Sequence, residues 1–194
     1  MKKTDDRKQH VARRALPLFV RMGYEKVSFQ DIAEATGVPR TALYRYYRTK
    51  RQIFDAAIME VIDDVRGAIA RVCAKKATPA ERLVMVSETV LELLYRERDF
   101  VQVIFDFVCS KIAAGEDMGR KVSAFTIGLK LTFRELAVAS QEEGELREGA
   151  NPDMIAELLF SMFESAGLKM LLGSEKNPTL ATTRILAAID SFLK

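Results

Sequence analysis

Between positions 40 and 50 the chain sets Arg40, Thr41, Tyr44, Arg45, Tyr46, Arg48 and Lys50 in close succession, cationic and hydroxyl donors interleaved with flat phenolic rings. Side chains of these types bond phosphate oxygens. Donors near the start of an inserted helix read base edges, and Arg40 and Thr41 hold that place. The chemistry on offer is recognition of a polyanion, with no bond making. The single histidine, His10, lies in a basic N-terminal stretch. The sequence holds no glycine-rich phosphate loop, no cluster with metal-ligand spacing and no Ser/His/Asp set. We therefore expect no enzyme, no cofactor and no metal. Cys73 and Cys109 are too few for a disulfide framework. They read as buried inert thiols, with a redox-sensing pair as the alternative.

Charge is distributed unevenly. Residues 1–50 hold 12 Lys and Arg against 5 Asp and Glu, and the remainder holds 18 against 22. A basic head on a mildly acidic body points to a polyanionic partner for the head alone. Taken by itself, the charge fits a solvated face equally well. No apolar run approaches the roughly 18–20 residues that span a bilayer, and no apolar stretch follows the charged start, so neither a membrane segment nor a secretion signal is expected. With the low cysteine count, this suggests a cytoplasmic protein.

The donors need a rigid mount, and residues 28–47 supply its pattern. Ser28 is placed to accept from the amide of Asp31, whose carboxylate reaches back, a short form of the capping box. Val27 and Ile32 occupy the staple positions around that cap. Ala33 faces a second helix at close approach. Gly37 stands where the first helix must end in a left-handed residue. Val38 and Leu43 then bury against Ile32. A helix, a glycine turn and a second short helix in this register form the arrangement that lays a helix in the major groove. A plain helical hairpin with a basic face is the alternative.

The pattern Ala15-Leu16-Pro17-Leu18-Phe19, Gly23-Tyr24, Ser28 with Asp31-Ile32-Ala33, Gly37-Val38, Leu43-Tyr44, Tyr46-Tyr47 and Lys50 with Ile53 resembles the DNA-binding head of the tetracycline-repressor (TetR) family. The resemblance runs from about Ala12 to Ile58. It implies phosphate contacts by Tyr44, Tyr46 and Lys50, with Ser28 at the start of the preceding helix. It implies that Arg40 and Thr41 face bases and that Arg45 lies along the groove wall. Two positions depart from the family pattern. Pro39 replaces a frequent capping serine, a loss of about 1 kcal/mol partly offset by proline's fit to the first helical position. Tyr47 replaces phenylalanine, so its ring should be core and its hydroxyl must find a partner or solvent.

Apolar residues recur at three- and four-residue spacing almost throughout, which predicts an all-α chain of about nine helices. We divide it into a three-helix head, 5–65, and a helical ligand-binding and dimerisation domain, 66–194. A first helix from about Asp5 ends at Gly23-Tyr24. A long helix runs from Thr49 to about Cys73. Thr78-Pro79, Asn151-Pro152 and Asn177-Pro178 each open a helix, and Gly115 and Gly119 break the middle of the chain.

In the body, 100–113 is apolar on most faces and must be buried, while 120–139 carries a broad apolar face. Gly128 within it marks close packing or room for a ligand. From these segments and the helix before them we take Met85, Thr89, Phe100, Ile104, Phe107, Phe125, Leu129 and Phe133 as pocket candidates; plain core is the alternative for each. Leu158, Met162, Phe163, Ala166, Met170, Ile185 and Ile189, on the last two helices, are the dimer candidates; capping of the monomer core is the alternative. The resulting expectation is a homodimeric repressor on a palindromic operator in double-stranded DNA, released by a small, mostly apolar effector. The alternative is an interaction or sensor protein whose head binds a protein partner. Salt discriminates the two, since phosphate contacts weaken steeply as salt rises.

Overall fold

The structure, a computed structural model, describes the backbone of residues 2–110, 116–175 and 177–194. Among these residues the regular elements are nine helices: α1 (Lys2–Met22), α2 (Phe29–Thr36), α3 (Arg40–Tyr46), α4 (Lys50–Cys73), α5 (Pro79–Arg96), α6 (Arg98–Ser110), α7 (Glu116–Glu142), α8 (Pro152–Leu171) and α9 (Pro178–Asp190). One antiparallel bridge joins Leu146 to Leu193. No helix among the described residues is long and apolar enough to cross a membrane. The fold is all-α, with a helix-turn-helix head and a helical body, as expected.

Two compact units emerge. The first is Met1–Asp64 with Asp99–Met118, and the second is Val65–Arg98 with Gly119–Lys194. Compactness thus places the α6 segment with the first unit, which the linear division at residue 65 does not.

In the first unit α1 buries Val11, Ala12, Ala15, Leu16 and Phe19 along one stripe, and α4 answers with Ile53, Phe54, Ala57 and Ile58. Phe19, Tyr24 and Phe54 close this seam. The Phe19 and Phe54 rings meet edge to face at 5.1 Å, and Tyr24 stands 5.2 Å from Phe54, a favoured aromatic geometry. Pro17 lies inside α1 on its exposed face. The helical bond it cannot donate is therefore lost on the water side, where the carbonyl left over is easily hydrated. Arg13 pairs with Asp64 and Glu60 across α1 and α4, contacts too exposed to contribute much.

In the second unit the starts of α5, α8 and α9 are capped as their sequence predicts. Thr78 and Glu81 form a capping box on α5, and Asn151 and Asn177 accept from first-turn amides of α8 and α9. Glu145 adds a distant cap, accepting from the Ala80 amide at 2.9 Å. The core joins Leu83, Val86, Leu91, Phe133, Ile155, Leu159, Ile185 and Ile189. Phe133 and Phe163 stack with centroids 5.2 Å apart and planes 5° from parallel.

Two glycine readings are corrected. Gly119 does not break the chain, because α7 runs through it from Glu116; Gly115 lies outside the described residues. Gly128 does not mark close packing, since a Cβ placed there would meet nothing within 4 Å. It lies on an exposed flank of α7 beside Ile127.

The two faces of α8 differ in burial although both are apolar. Ile155, Leu159, Phe163, Ala166 and Met170 are buried. Met154, Leu158, Ser161, Ser165, Leu168 and Leu172, spaced alternately by four and three, are exposed, Met154 at 70% and Leu172 at 71%. Phe163→Ala is expected to lower unfolding stability by about 3–5 kcal/mol. Leu158→Ala should change it by less than about 1 kcal/mol. Urea unfolding of both variants measures the difference, and equal losses would show that the burial pattern is wrong.

Candidate nucleic-acid interface

The site is built on α2. Ser28 caps it in extended backbone. Its amide donates to Asp31 Oδ2 at 2.7 Å, its hydroxyl donates to the same oxygen at 2.7 Å, and its Oγ accepts from the Asp31 amide at 3.2 Å. The expected short capping box is therefore present, and it occupies the Ser28 hydroxyl within the protein. These hydrogen bonds, that of the Ser28 side chain first, hold the Asp31 carboxyl below its ordinary range. Val27 and Ile32 are both buried, as staple residues must be. Gly37 ends α2 in the left-handed region at φ +67°. No heavy atom lies within 4 Å of where its Cβ would be, so backbone conformation alone demands glycine there.

α3 follows. Pro39 is its cap residue, with φ −54° and ψ 139°, and it makes no side-chain capping bond. Proline therefore stands one residue before the first helical position, which Arg40 takes, and the compensation expected from a first-position proline is not realised. The Pro39 carbonyl still receives the amides of Ala42 and Leu43, at 2.8 and 3.0 Å. Two anchors hold the inner face. Leu43 is fully buried, and the buried Tyr47 donates its hydroxyl to the Lys8 carbonyl of α1 at 2.9 Å. Burial first, then the charge of Glu60, pushes the Tyr47 phenol up to about 12. The hydroxyl thus has the partner that its departure from phenylalanine requires.

With that face secured, Arg40, Thr41, Tyr44 and Arg45 are exposed and Tyr46 is half-buried. The Tyr44 ring lies on Phe29 at 4.4 Å and 10°. The Arg40 guanidinium stands 5.7 Å from the Tyr44 ring centre and donates to its hydroxyl at 3.3 Å. Phe29, unremarked in the sequence, is thus the plate that holds Tyr44 upright. Lys50 is less free than expected. Its ammonium donates to the carbonyls of Tyr24 and Glu25 at 2.7 and 2.9 Å and sits 4.6 Å from the centre of the Tyr24 ring. Two of its three N–H groups therefore bind the turn after α1, and one is left for a ligand.

The body candidates are only partly brought together. Phe100 is buried in the first unit, whereas Met85, Thr89, Phe125, Leu129 and Phe133 belong to the second. There Met85, Thr89 and Phe125 are half-buried, while Leu129 and Phe133 are buried. The side chains of Ile104 and Phe107, and residues 111–113 of the apolar segment, lie outside the described residues. Of the dimer candidates, Leu158 is exposed and Met162 half-buried. Phe163, Ala166, Met170, Ile185 and Ile189 are already covered by the chain's own packing. Two of them, Ala166 and Ile185, nevertheless line a cleft with Ser161, Met162 and Ser165.

Residues 12–57 match the profile described as "Bacterial regulatory proteins, tetR family". Among curated proteins, the chain is 22% identical to the "HTH-type transcriptional repressor DhaR" of Mycobacterium sp. (strain GP1) over 174 residues, covering 88% of this chain and 85% of that repressor. Among solved structures, a TetR transcription regulator from Haloarcula marismortui superposes with a TM-score of 0.82 at 16% identity, covering 98% of this chain and all of that one. A transcriptional regulator from Saccharomonospora viridis, solved in complex with choline, superposes with a TM-score of 0.80 at 18% identity, covering 98% and 99%. At these identities the superpositions establish the fold.

The cap carries a pH signature. Asp31 is held below its ordinary value of 3.8 when folded. Its contribution to stability is therefore complete above that value and is lost as pH falls through the lower folded one. The stability gap between the wild-type chain and Asp31→Asn should be constant above about pH 5 and should close below the ordinary aspartate range. Urea midpoints measured across pH check this, and a gap that widened on acidification would refute the cap.

Proposed function

We propose that this chain, a transcriptional regulator of the TetR family, is a homodimeric repressor that holds a palindromic operator and releases it when a small, mostly apolar ligand binds the body. The observation that carries the reading is α3. Its inner face is anchored by Leu43 and Tyr47, and its outer face presents Arg40, Thr41, Tyr44 and Arg45. Arg40 and Thr41, at the start of the helix, read base edges. Tyr44, Tyr46 and the one remaining N–H of Lys50 hold phosphates, and Arg45 lies along the groove wall. Ser28 acts through the cap that fixes the start of α2. The protein is not an enzyme, and it works in the cytoplasm, where its DNA is.

A single head this small grips half a site, so recognition of a palindrome calls for two copies. The exposed seam of α8, Met154, Leu158, Leu168 and Leu172 with Ser161 and Ser165 between, suits a second copy of itself, and Leu180 of α9 adds exposed apolar surface. Its four-three spacing is that of helices packed at a shallow angle. The ligand enters the second unit, where Met85, Thr89 and Phe125 keep partial exposure. That a neighbour of this fold was solved in complex with choline supports a small-molecule effector for this chain. The ligand's effect on DNA cannot exceed its differential affinity for the two body conformations. α4, which contributes residues to both units, is the element through which that difference reaches the head.

Selection of genomic fragments by the purified chain tests the core of this reading. Retention should be selective and should weaken steeply with salt; no preference over bulk competitor even in dilute buffer would reject it. Arg40→Ala should relax base preference by about 1–3 kcal/mol. Lys50→Ala should weaken all sequences alike and also lower unfolding stability, because the Tyr24 and Glu25 carbonyls lose a donor. Equal loss of preference in both variants would contradict the division of roles.

The interface is tested by charge. A double variant, Leu158→Glu with Leu172→Glu, should sediment as a folded monomer and lose operator binding. A dimer that persisted would place the interface elsewhere.

A further inference from the structure

The head carries a feature that α3 alone does not account for. A cleft of about 440 Å³ opens between α1 and α3. Val38, Pro39 and Ala42 supply apolar wall, while Arg7 and His10 of α1 face Arg45 and Tyr46 of α3. Arg7, His10 and Arg45 are exposed, and among the described residues none of the three is paired with a carboxylate. The guanidinium groups of Arg7 and Arg45, on opposite walls of a partly apolar cleft, focus a positive potential on the space between them. Such an arrangement is stabilised by an anion. A planar guanidinium on either side suits a phosphate, whose oxygens accept the forked donors of arginine.

From this geometry we propose that the cleft seats a backbone phosphate of the bound DNA, held by Arg7 and His10 from α1 together with Arg45 and Tyr46 from α3. The inference rests on the DNA-binding reading and adds α1 to the contact surface. The occupant is a DNA phosphate because one wall of the cleft is α3 itself, the helix that lies in the groove. A duplex placed on Arg40 and Thr41 brings its sugar-phosphate backbone alongside the same helix.

His10 gives the site a property that the arginines lack. Histidine is the side chain whose charge ordinarily changes between pH 5 and 8. Arg7 stands beside His10 on α1, Asp6 and Arg14 lie one turn away on the same helix, and Arg45 and Tyr46 face it from α3. A phosphate bound beside it favours the protonated ring. DNA binding therefore takes up a proton, and affinity rises as pH falls from 8 to 6, by at most tenfold per pH unit per head. His10 is the chain's only histidine, so His10→Gln isolates the histidine part of this dependence.

The test is fluorescence anisotropy of labelled duplexes, one a selected genomic fragment and one unrelated, titrated with wild-type chain, Arg7→Ala and His10→Gln over a range of salt and pH. Both changes are on the surface, and thermal unfolding followed by circular dichroism confirms that each variant folds. We expect Arg7→Ala to weaken both duplexes by a similar factor and to reduce the slope of log affinity against log salt by about one per head. We expect His10→Gln to flatten the rise in affinity between pH 8 and 6. If the wild-type chain binds DNA and both variants keep its salt slope and pH profile, the phosphate seat is overturned while the DNA-binding reading stands. If the wild-type chain binds neither duplex, both fall together.

Discussion

An isolated helix of seven residues does not hold together in water, because its first turn fixes several dihedral angles for a single hydrogen bond and too few turns follow to recover that cost. α3 is such a helix, and every function argued for this chain depends on its existence. What forms it is tertiary. Leu43 is fully buried, and Tyr47 is inserted beneath it with its hydroxyl on the Lys8 carbonyl. Gly37, in the left-handed region, turns the chain so that Leu43 meets the layer in which Ile32 and Val27 lie. The exposure of Arg40, Thr41 and Tyr44 is the other side of the same fact. A helix anchored along one stripe has no choice about which side chains it offers to a ligand.

That coupling explains why the head was legible in its sequence. A cap, a staple, a left-handed glycine and an apolar register are local signals, each tied to a position by backbone geometry, and together they admit one arrangement. Pro39 shows the limit. A first-position proline and a cap proline differ by one residue, and the sequence alone does not separate them. Lys50 shows another limit. Its bond partners are the carbonyls of Tyr24 and Glu25, distant in sequence, and main-chain carbonyls carry no sequence signature. The plate formed by Phe29 under Tyr44 could have been suspected, since aromatic residues at a helix start and on the facing helix often pair, but nothing fixed their separation.

The body was legible only as helices. Caps at Thr78, Asn151 and Asn177 announced α5, α8 and α9, but they do not say which side of a helix turns inward. α8 is apolar nearly all round, so periodicity gives no preferred face. Phe163, Ala166 and Met170 and the exposed Leu158 and Leu172 are equally hydrophobic letters in the sequence. Only packing sorts them: Phe163 is inward because Phe133 stacks on it. Gly128 misleads for a related reason. A glycine in a long helix suggests crowding, and here it lies in open space, where it weakens α7 without making room for a neighbour.

Formal charge overstates what the head offers a polyanion, and the structure divides its cations into two groups. Arg13 is bound to Asp64 and Glu60, Arg51 to Asp55 at 2.5 Å, and Lys50 to two carbonyls. These hold α1, α4 and the turn between α1 and α2 in place. Arg7, Arg40, Arg45 and Arg48 are exposed, and among the described residues none is paired with a carboxylate. Three of this second group lie on α3 or just beyond it, and the fourth lies across the cleft on α1. A cation already paired inside the protein brings little new attraction to a phosphate, because its own carboxylate must first be given up. The potential around α3 is therefore set by Arg40, Arg45 and Arg48, with Arg7 across the cleft, and the buried anchors of the head hold that helix outward.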